Sequence, residues 1–594
     1  MHFSPRPNRA AEINWQPWGE TAFESAKAQG KPMLLAISAV WCHWCHVMDE
    51  TSYSDGAVIQ TINERFIPVR VDNDQRPDVN ARYNMGGWPT TALLTPDGDV
   101  LYGGTYIPPD AMRQVLAHVD RFYTDPSNRL TVAQKVSEMK AARAGRARAP
   151  EGGELDPHTA AKVLALLSSA FDEEYGGFGT DQKFPHVPAL QFLLDFYARE
   201  HNERAKTIVE RTLRGMAGGG MYDHVEGGFF RYSTTPDFSV PHFEKMLEDL
   251  GGLLLVCARA SALFEDASIG AVAMDVKRYM DARLWNDEAG GYGGSQDADE
   301  KYFELDAQGR AAVPAPYVDK TLYAAWNAQV ARSLILGAPL AQSAGADANE
   351  WTQRGLAILE TLWNRMLDRG LMCRYFDGSS AHIRGLLVDQ VWCAWAALAA
   401  FSATGEVRWL DRAGDLIGHS DALYDADAHV YLDRLKGPDD AGRLAEQTVS
   451  VEENALMARA LLDFASLSGK SVYAERGQAI LRHYARDYQA QNIFAAGYAS
   501  AVLDALEPPI DVNIVGPARD PVAVALRDAA LRIASPPLRP NPIDPAAEPQ
   551  RASSLGYDAA GVTAYLCRGK MCFARVTSPH ELKTALTSNP VSST

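Results

Sequence analysis

The sequence lacks the features that would place it outside the cell, in a membrane or on a nucleic acid. Its first fifteen residues contain no apolar core of the kind a secretory signal requires. No window approaches eighteen uncharged apolar residues, so we expect no membrane span. Basic residues are few, with 57 Lys and Arg against 75 Asp and Glu and a net charge of −18. Because such a surface repels phosphate backbones and anionic lipid, we expect neither nucleic acid nor membrane as a partner.

Cysteine is also scarce. The seven cysteines are an odd number, and apart from two close pairs they are scattered. This distribution does not fit a disulfide framework and is typical of a reducing compartment, so we predict a cytoplasmic location. That prediction argues against c-type haem, which is attached outside the cytosol in most settings.

The residue pattern divides the chain into regions. A chain of 594 residues is too long for one hydrophobic core. Residues 1–136 alternate short apolar runs with helical stretches, which predicts an α/β domain. Residues 137–156 are small and charged, with Gly and Pro, and indicate a linker. Residues 157–505 contain helix after helix, and residues 506–594 indicate a small α/β segment packed on the helical region.

Strands are predicted in the first and last regions. The runs PMLLAIS (32–38), FIPVRVD (66–72) and TTALLTPDGDVLYGG (90–104) are short, apolar and bounded by turn residues. Near the end of the chain, IDVNIVGP (510–517) predicts a strand and residues 561–576 predict one or two more. The first region therefore has the strands of a mixed sheet.

A loose repeat runs through the helical region. In each copy a helix ends near an acidic or amide residue, and a Gly-aromatic loop follows. The copies are residues 171–179, 222–232, 284–294, 362–375 and 423–434, with a weaker sixth at 484–498. Repeats of this kind indicate stacked helical hairpins. We expect six hairpins to close into an (α/α)6 toroid, with a cup formed by the inner-helix ends and loops.

The stretch AVWCHWCHVMD, residues 39–49, carries the first cysteine pair. The Cys42-x-x-Cys45 spacing is that of thioredoxin-like redox sites, and the following His46 also matches the pattern of c-type haem attachment. Two cysteines and two histidines within five positions are also suitable zinc ligands. Inert core cysteines are a fourth interpretation.

A redox function is favoured because an apolar strand runs directly into Cys42 and a helical pattern begins at the pair. Backbone N–H groups and the macrodipole at a helix N-terminus stabilise a thiolate. We predict that Cys42 attacks, with a pKa below about 8.5, and that Cys45 resolves the mixed disulfide. His43 and His46 are expected to add partial positive charge. We predict neither a metal nor another cofactor.

A second element of the redox site lies downstream. Gly86-Gly87-Trp88-Pro89 precedes the predicted strand TTALL. Thioredoxin-like folds place a cis-proline before such a strand, opposite the cysteines, and a cis bond costs little only before proline. We therefore expect Trp88 and Pro89 to belong to the catalytic site.

Together these motifs resemble the thioredoxin-domain proteins of the spermatogenesis-associated type. The matching stretches are KPMLLAISAVWCHWCHVMDETSYSD, GGWPTTALLTPDGDVLYGGTYIPP, KFPHVPAL, GGGMYDHVEGGFFRYSTTPDFSVPHFEKMLEDL and GGYGGSQDADE. The resemblance implies a thioredoxin-like domain followed by a six-hairpin domain similar to glycosidases and to 2-epimerases of N-acylglucosamine and cellobiose. The sequence departs from the family in VSVEENALMARALL, where a Pro-Ser-Gly-Asn pattern is common.

Residues of the cup are predicted from the chemistry of sugar-handling toroids, which use carboxylates and histidines at the inner-helix ends. Hydrolysis needs two opposed carboxylates, and epimerisation needs paired bases. We place His242 at the start of a helix. Asp223 and Asp297 are equally well explained as turn caps. The predicted ligand-binding residues are His186, Asp223, His224, His242, Glu244, Asp297 and Asp299.

We predict a thiol–disulfide redox protein whose toroid binds a client or a carbohydrate-like ligand. The alternative is a carbohydrate-active enzyme, of 2-epimerase or glycosidase type, with a structural or regulatory thioredoxin-like domain. A third interpretation leaves both sites as recognition surfaces. The expected partners are a thiol reductant or a disulfide client, and a carbohydrate. Cys567 and Cys572 are expected to face each other if residues 561–576 form a hairpin.

Overall fold

The computed structural model describes residues 1–146, 152–557 and 561–588. The chain divides into two compact units. The first comprises Met1–Ala149 and Asp433–Thr448, and the second comprises Pro150–Leu432 and Val449–Thr594. The segment predicted as a linker begins within a helix that ends at Arg146, and residues 147–151 lie outside the described residues.

Among the described residues of the first unit, four strands form one mixed sheet. They are β1 (Met33–Ser38), β2 (Ile67–Asp72), β3 (Thr90–Leu94) and β4 (Val100–Gly104). Their spatial order is β2-β1-β3-β4, with β1 parallel to β2 and antiparallel to β3, and β3 antiparallel to β4. The strands lie in the three apolar runs that predicted them.

Helices cover both faces of this sheet. They are α1 (Glu20–Gln29), α2 (His43–Glu50), α3 (Gly56–Arg65), α4 (Pro77–Tyr83) and α5 (Pro109–Thr124), and the next helix, α6 (Pro126–Arg146), contacts α5. Because side chains alternate along a strand, Leu34 and Ala36 enter one core and Leu35 and Ile37 enter the other. The first unit is thus the thioredoxin-like α/β domain that the sequence predicts.

Residues Asp433–Thr448 belong to the first unit although they are distant in sequence. The Trp18 Nε1–H donates to the carbonyl of Asp439 at 3.2 Å, and Arg76 pairs with the Asp439 carboxylate at 3.2 Å. Leu444 is buried in the same core as Trp18. A fragment ending at Ala149 would therefore lack part of this core.

In the described part of the second unit, six inner helices form a closed ring. They are α8 (Val187–Glu200), α10 (Leu247–Phe264), α14 (Ala324–Leu340), α16 (Leu387–Thr404), α18 (Val451–Ser468) and α20 (Ala496–Leu506). Each inner helix contacts the next, and α20 contacts α8. The (α/α)6 toroid predicted from the repeat is confirmed.

Outer helices pair with the inner ones. Five follow their partners in sequence: α9 (Glu203–Gly218), α11 (Ala267–Tyr279), α15 (Ala348–Met366), α17 (Val407–His419) and α19 (Ser471–His483). The sixth partner, α7 (Thr159–Ala170), is the first helix of the unit and packs on α20. The ring is therefore closed by helices from its two ends.

Helix α16 is long and apolar enough to cross a membrane, and it is the one helix of this kind in the part of the chain that the structure describes. Asp389 interrupts its run of uncharged residues, so the helix is not an uncharged stretch of eighteen. Of the eighteen-residue stretch, 78% is buried inside the protein. Packing against α14 and α18 explains its composition as that of a core helix.

The repeated Gly-aromatic loops form small antiparallel turns between an outer helix and the next inner helix. Paired positions are Phe171 with Phe178, Tyr222 with Phe229, Trp285 with Tyr292, Leu367 with Met372, and Tyr424 with Tyr431. An Asp or Asn caps most of these turns through backbone N–H groups, as Asp172 and Asp425 do. The repeat thus encodes turn geometry.

Short elements connect these loops to the inner helices. They are β5 (Tyr232–Ser233), β6 (Pro241–His242), β7 (Lys245–Met246), β8 (Trp285–Asn286), β9 (Gly291–Tyr292), β10 (Ser295–Gln296), β11 (Val318–Asp319), β12 (Leu322–Tyr323), β13 (Leu367–Asp368), β14 (Leu371–Phe376), β15 (Ala381–Arg384), β16 (Tyr424–Asp425) and β17 (Val430–Tyr431), with α12 (Glu300–Phe303) and α13 (Ala307–Ala311).

The C-terminal segment is a sheet of order β19-β18-β20-β21 with flanking helices. Its elements are β18 (Ile510–Val515), α21 (Pro521–Leu531), β19 (Leu538–Ile543), α22 (Pro549–Ser554), β20 (Thr563–Arg568), β21 (Met571–Val576) and α23 (Pro579–Ser588). Strand β19 lies in the proline-rich stretch and pairs only with β18 among the described strands, an edge position where prolines are tolerated. Both β19 and α21 contact α16.

The second cysteine pair lies in this sheet. Residues 561–576 form the hairpin of β20 and β21, in which Cys567 is directly opposite Cys572. The two cysteines are joined in a disulfide. The expectation that they face each other across a hairpin is confirmed.

Candidate functional site

The first cysteine pair lies where β1 meets α2. Cys42 is the N-cap residue of α2, and its Sγ accepts a hydrogen bond from the Cys45 N–H at 3.1 Å. Cys42 and Cys45 are joined in a disulfide with a Cα–Cα distance of 5.2 Å. The strand before the pair and the helix after it are those predicted. The N-terminus of α2 therefore acts directly on the Cys42 sulfur.

Aromatic residues surround the pair. The Trp41 Nε1–H donates to Asp74 at 2.8 Å, and the Trp41 and Trp88 rings meet edge to face with centroids 5.7 Å apart. The Trp88–Pro89 bond is cis, as the sequence predicts. Cys42 is 4% exposed, whereas Trp44, on the first turn of α2, is 47% exposed. The Cys42 sulfur is thus almost fully covered, whereas the Trp44 indole two residues later is open to solvent.

The two histidines of the motif have different environments. His43 is the first residue of α2. His46 is buried, with Nε2 2.9 Å from the carbonyl of Val40. Burial lowers the pKa of His46 below its usual 6.5, against the hydrogen bond to Val40. His46 is therefore neutral at pH 7, and the expectation that it adds positive charge is wrong because its ring is desolvated.

Metal ligation was a competing interpretation of this motif. In the part of the chain that the structure describes, no group of three or more His, Cys, Asp or Glu side chains is placed to hold a metal ion. Near the pair, the ring nitrogen Nε2 of His46 is directed at Val40 rather than toward the cysteines. The donor geometry at this site therefore fits a dithiol better than a zinc site.

One predicted cup residue, His242, lies in a stack of aromatic rings, and two others lie beside it. Phe184 stacks on Tyr232 with centroids 4.7 Å apart, and Tyr232 stacks on His242 at 5.0 Å. His242 Nδ1 is 2.7 Å from Glu244, which is 1% exposed. His186 begins α8 in the left-handed region, and its ring contacts that of Phe184 with centroids 6.2 Å apart. The stack thus brings His186, His242 and Glu244 into one neighbourhood.

The predicted helical position of His242 is wrong. His242 lies in β6, paired with Tyr232 of β5, and α10 begins only at Leu247. Lys245 lies in β7 and bonds the Asp223 carboxylate, which holds this segment extended. An extended segment also directs Glu244 back toward His242, two residues away.

Asp223 lies in a loop turn. Its Oδ1 accepts N–H groups of Val225 and Glu226, and its Oδ2 accepts hydrogen bonds from Lys245 and Arg310, each at 2.7 Å. Burial would raise the pKa of Asp223, but Lys245 and Arg310 outweigh it and hold the pKa below its ordinary value. Both oxygens of this carboxylate thus already accept hydrogen bonds from other groups of the protein.

The other predicted cup residues also bond their own loops. The exposed His224 has Nε2 3.0 Å from the carbonyl of Gly219. Asp297 is buried and accepts the N–H of Ala298 at 2.8 Å. Asp299 is the N-cap of α12 and accepts the N–H of Tyr302 at 3.1 Å. These contacts are those of turn and cap residues.

Two carboxylates that the sequence analysis missed lie in the first turns of inner helices. Burial raises the pKa of Asp249, in α10, to about 6, against the attraction of Arg231. Burial likewise raises the pKa of Asp389, in α16, to about 6, against Arg374. The signal was present in the sequence: an acidic residue begins the helical run after a Gly-aromatic loop.

Asp249 is connected to the ring stack through Arg231. The Arg231 N–H donates to the carbonyl of Glu244 at 2.7 Å, and its guanidinium lies 5.5 Å from the Tyr232 ring centroid. The same guanidinium is close enough to lower the pKa of Asp249. The candidate cup site therefore combines an aromatic stack, a His–Glu pair and a carboxyl group that titrates near neutrality.

The architecture defines a protein with a thioredoxin-like domain and a six-hairpin toroid. Residues 6–142 match the model of a family described as Thioredox_DsbH, a protein of unknown function, DUF255. The chain is 29% identical over 535 residues to an uncharacterized protein of Caenorhabditis elegans, covering 78% of this chain and 70% of that protein. It is 35% identical over 309 residues to human Spermatogenesis-associated protein 20, covering 48% of this chain and 39% of the human protein.

These matches confirm the resemblance predicted from the sequence: residues 6–142 are similar to the DUF255-type thioredoxin domain, and about half of the chain is similar to Spermatogenesis-associated protein 20. The chain spans about two fifths of the length of that human relative. A shorter match of 31% identity over 80 residues is to the thiol:disulfide interchange protein DsbD of Pseudomonas fluorescens, covering 13% of this chain and 14% of that protein.

Solved structures also align with part of the chain. A sugar epimerase from a ruminal bacterium aligns with 55% of this chain and 84% of its own, at 12% identity and a TM-score of 0.44. The closed ring of inner helices is established independently, by the contacts between the helices of this chain.

Proposed function

We propose that the protein is a thiol–disulfide oxidoreductase that acts through Cys42 and Cys45, and that its toroid binds the client or a carbohydrate-like ligand. The observation that carries the proposal is the position of Cys42 as the N-cap of α2, with its Sγ accepting the Cys45 N–H. Backbone N–H groups at a helix N-terminus favour the thiolate, which is the attacking form.

The reaction follows from this geometry. In the reduced protein the Cys42 thiolate attacks one sulfur of a client disulfide, and the other client sulfur leaves as a thiolate. Cys45, one helical turn on, then attacks the Cys42 Sγ, which releases the second client sulfur and leaves the Cys42–Cys45 disulfide. Two electrons pass to the client, and a dithiol reductant restores the protein.

Reduction of insulin by dithiothreitol tests this proposal. The full-length protein is expected to accelerate insulin precipitation, and Cys42→Ser is expected to abolish the acceleration. The matched control is the Cys567→Ser/Cys572→Ser double variant, which loses the other disulfide and should keep full activity. Equal rates for the wild type and Cys42→Ser would refute the proposal.

A carbohydrate-active function of the toroid is the second candidate. It is supported by the His242–Glu244 pair beneath the stacked Tyr232 ring and by the raised pKa of Asp249. The partly exposed Phe184 ring at one end of the stack is suitable for packing against a pyranose ring, and a carboxyl group with a pKa of about 6 is suitable for proton transfer near neutral pH.

Thermal denaturation with a panel of mono- and disaccharides tests this second candidate. At least one sugar is expected to raise the Tm of the wild type, and His242→Ala and Glu244→Ala should each lose that rise. The control is His419→Ala, at the exposed end of an outer helix. A rise that survives both cup variants would place the ligand elsewhere.

A further inference from the structure

A cavity of about 220 Å³ lies inside the second unit, away from the first turns that carry Asp249 and Asp389. Its walls are the middle and C-terminal parts of the inner helices, together with residues of the C-terminal segment around α21 and β19. The volume is large enough for several waters or for one small ligand.

The cavity is unusually rich in charge. Its lining contains five arginines and three aspartates: Arg199, Arg259, Arg332, Arg459, Arg539, Asp195, Asp463 and Asp504. A fourth carboxylate, Asp511, pairs with Arg539 at 2.7 Å. The cluster therefore has one more cation than anion.

Four of the arginines are held by carboxylates. Asp195 pairs with Arg259 at 2.7 Å and with Arg459 at 3.0 Å. Asp504 pairs with Arg459 and with Arg199, each at 2.7 Å. Each of these two carboxylates thus bridges two arginines, and the ion pairs compensate the buried charges.

Arg539 completes this paired set. It bonds Asp463 in addition to Asp511. Asp463 also accepts the Nε1–H of Trp395 at 2.8 Å, which fixes the indole in the cavity wall. The carboxylates of the cluster are thus all engaged by other arginines.

Arg332 is the exception. Within the described part of the chain it forms no ion pair, and its buried Nε has no acceptor. Its guanidinium lies 3.7 Å from the ring centroid of Trp395. Burial lowers the pKa of Arg332 to about 9, and the neighbouring Arg459 lowers it further. Asp463 and Asp195 attract this cation from a distance, but neither is bonded to it, and a buried cation without a bonded anion is costly to the fold.

We propose that this cavity binds a small oxyanion, a phosphate or carboxylate group, through the guanidinium of Arg332. The planar guanidinium suits such anions, and the Trp395 face holds it in place. The anion would balance the one excess charge of the cluster. The proposal is independent of the redox and carbohydrate functions because it uses none of their residues.

Thermal denaturation of the full-length protein tests the proposal, with sodium phosphate, sulfate and citrate each compared with chloride at matched ionic strength. At least one oxyanion should raise the Tm by roughly 2 °C or more at saturation. A Tm rise with phosphate and sulfate but not with citrate would indicate a site for a tetrahedral anion, and the reverse would indicate a site for a carboxylate. Arg332→Met, which keeps an unbranched apolar stem, should abolish the rise.

The matched control is Arg354→Met. Arg354 also lies over an indole, 4.0 Å from the Trp285 ring centroid, but does not line the cavity. This variant should keep the oxyanion-dependent rise. If Arg332→Met does not fold, calorimetric titration of the wild type and of Arg332→Lys with phosphate replaces it, and at least tenfold weaker binding by Arg332→Lys is expected. A wild type that responds equally to all four salts, or an Arg332→Met variant that keeps the rise, would overturn the proposal.

Discussion

The sulfur of Cys42 lies 3.1 Å from the backbone nitrogen of Cys45 and accepts its hydrogen bond. The donor is an N–H group of the first turn of α2, and it is shared between the Cys42 sulfur and the Cys42 carbonyl, which lies at 3.0 Å. Because a thiolate accepts such a bond more strongly than a thiol does, this contact favours the ionised form of Cys42.

We therefore predict that Cys42 titrates below the ordinary thiol pKa of about 8.5. The rate of alkylation by iodoacetamide, measured against pH, gives this pKa. Cys45→Ser is the appropriate background, since it keeps the backbone N–H and removes the competing thiol. His46→Asn should leave the pKa of Cys42 nearly unchanged, because His46 is already neutral at pH 7. A Cys42 pKa of about 8.5 or higher would contradict the argument that the N-terminus of α2 stabilises the thiolate.

The same Cys45→Ser variant should accumulate mixed disulfides with clients. Cys42 can still attack, but no thiol remains one turn away to release the client. Non-reducing electrophoresis after exposure to oxidised insulin should show a covalent adduct that dithiothreitol removes. Cys42→Ser should form no adduct at this site. An adduct that forms equally in Cys42→Ser would identify Cys45 as the attacking thiol.

Local signals predict much of this fold. The apolar runs that form β1, β2 and β3 predict strands because their residues are buried on both faces of the sheet, whereas the partly exposed β4 is indicated by the Pro-Asp-Gly turn before it. The Gly-aromatic repeat predicts the toroid because five of its copies build the same antiparallel turn before an inner helix, whereas the weaker copy at 484–498 contains a 3-10 helix instead. These features depend on residues that are close in sequence, so one amino-acid sequence is enough to predict them.

Long-range pairings could not be predicted in the same way. His242 lies in a strand rather than a helix because Lys245 bonds Asp223, which is 22 residues earlier. The neutrality of His46 depends on burial that the motif does not show. Arg332 and its neighbours come from separate inner helices, so their meeting depends on the closure of the ring. In each case tertiary contacts decide the chemistry.

Asp249 should make the second unit less stable as the pH rises toward neutrality. Its pKa is about 6 in the folded protein against 3.8 for the ordinary carboxyl. The folded state therefore holds the proton more tightly, and this contribution, fully present below pH 3.8, is lost as the pH rises through 6. Asp249→Asn should raise the free energy of unfolding at pH 7 by about 1–3 kcal/mol and leave it nearly unchanged at pH 4.

Urea denaturation at the two pH values measures this difference. Asp237→Asn is a control for which the change in unfolding free energy at pH 7 should have the opposite sign. Hydrogen bonds from Thr235 and Ser239 lower the pKa of this exposed carboxyl to about 2. That substitution should lose stability toward neutral pH. If Asp249→Asn is no more stable than the wild type at pH 7, Asp249 is not desolvated as the structure indicates.

Lys245 and Asp223 form a buried pair that should be strongly coupled. Lys245 is fully buried and Asp223 is 3% exposed, and burial lowers the pKa of Lys245 to about 8 against the attraction of Asp223. Removing one partner leaves the other charge buried without it, so Lys245→Met should cost about 3–5 kcal/mol of unfolding free energy. Because Arg310 remains beside Asp223, we expect the lower end of that range.

A double-mutant cycle with Asp223→Asn isolates the pair. The double variant should cost less than the sum of the two single variants, by about 1–3 kcal/mol. Lys183 and Asp172 form the corresponding pair of the preceding hairpin, at 2.7 Å, and should give a coupling of the same sign. Additive costs at both hairpins would show that these lysines do not stabilise the loops through the carboxylates. Their backbone carbonyl contacts, Lys245 with Gly227 and Lys183 with Gly176, would then be the stabilising ones.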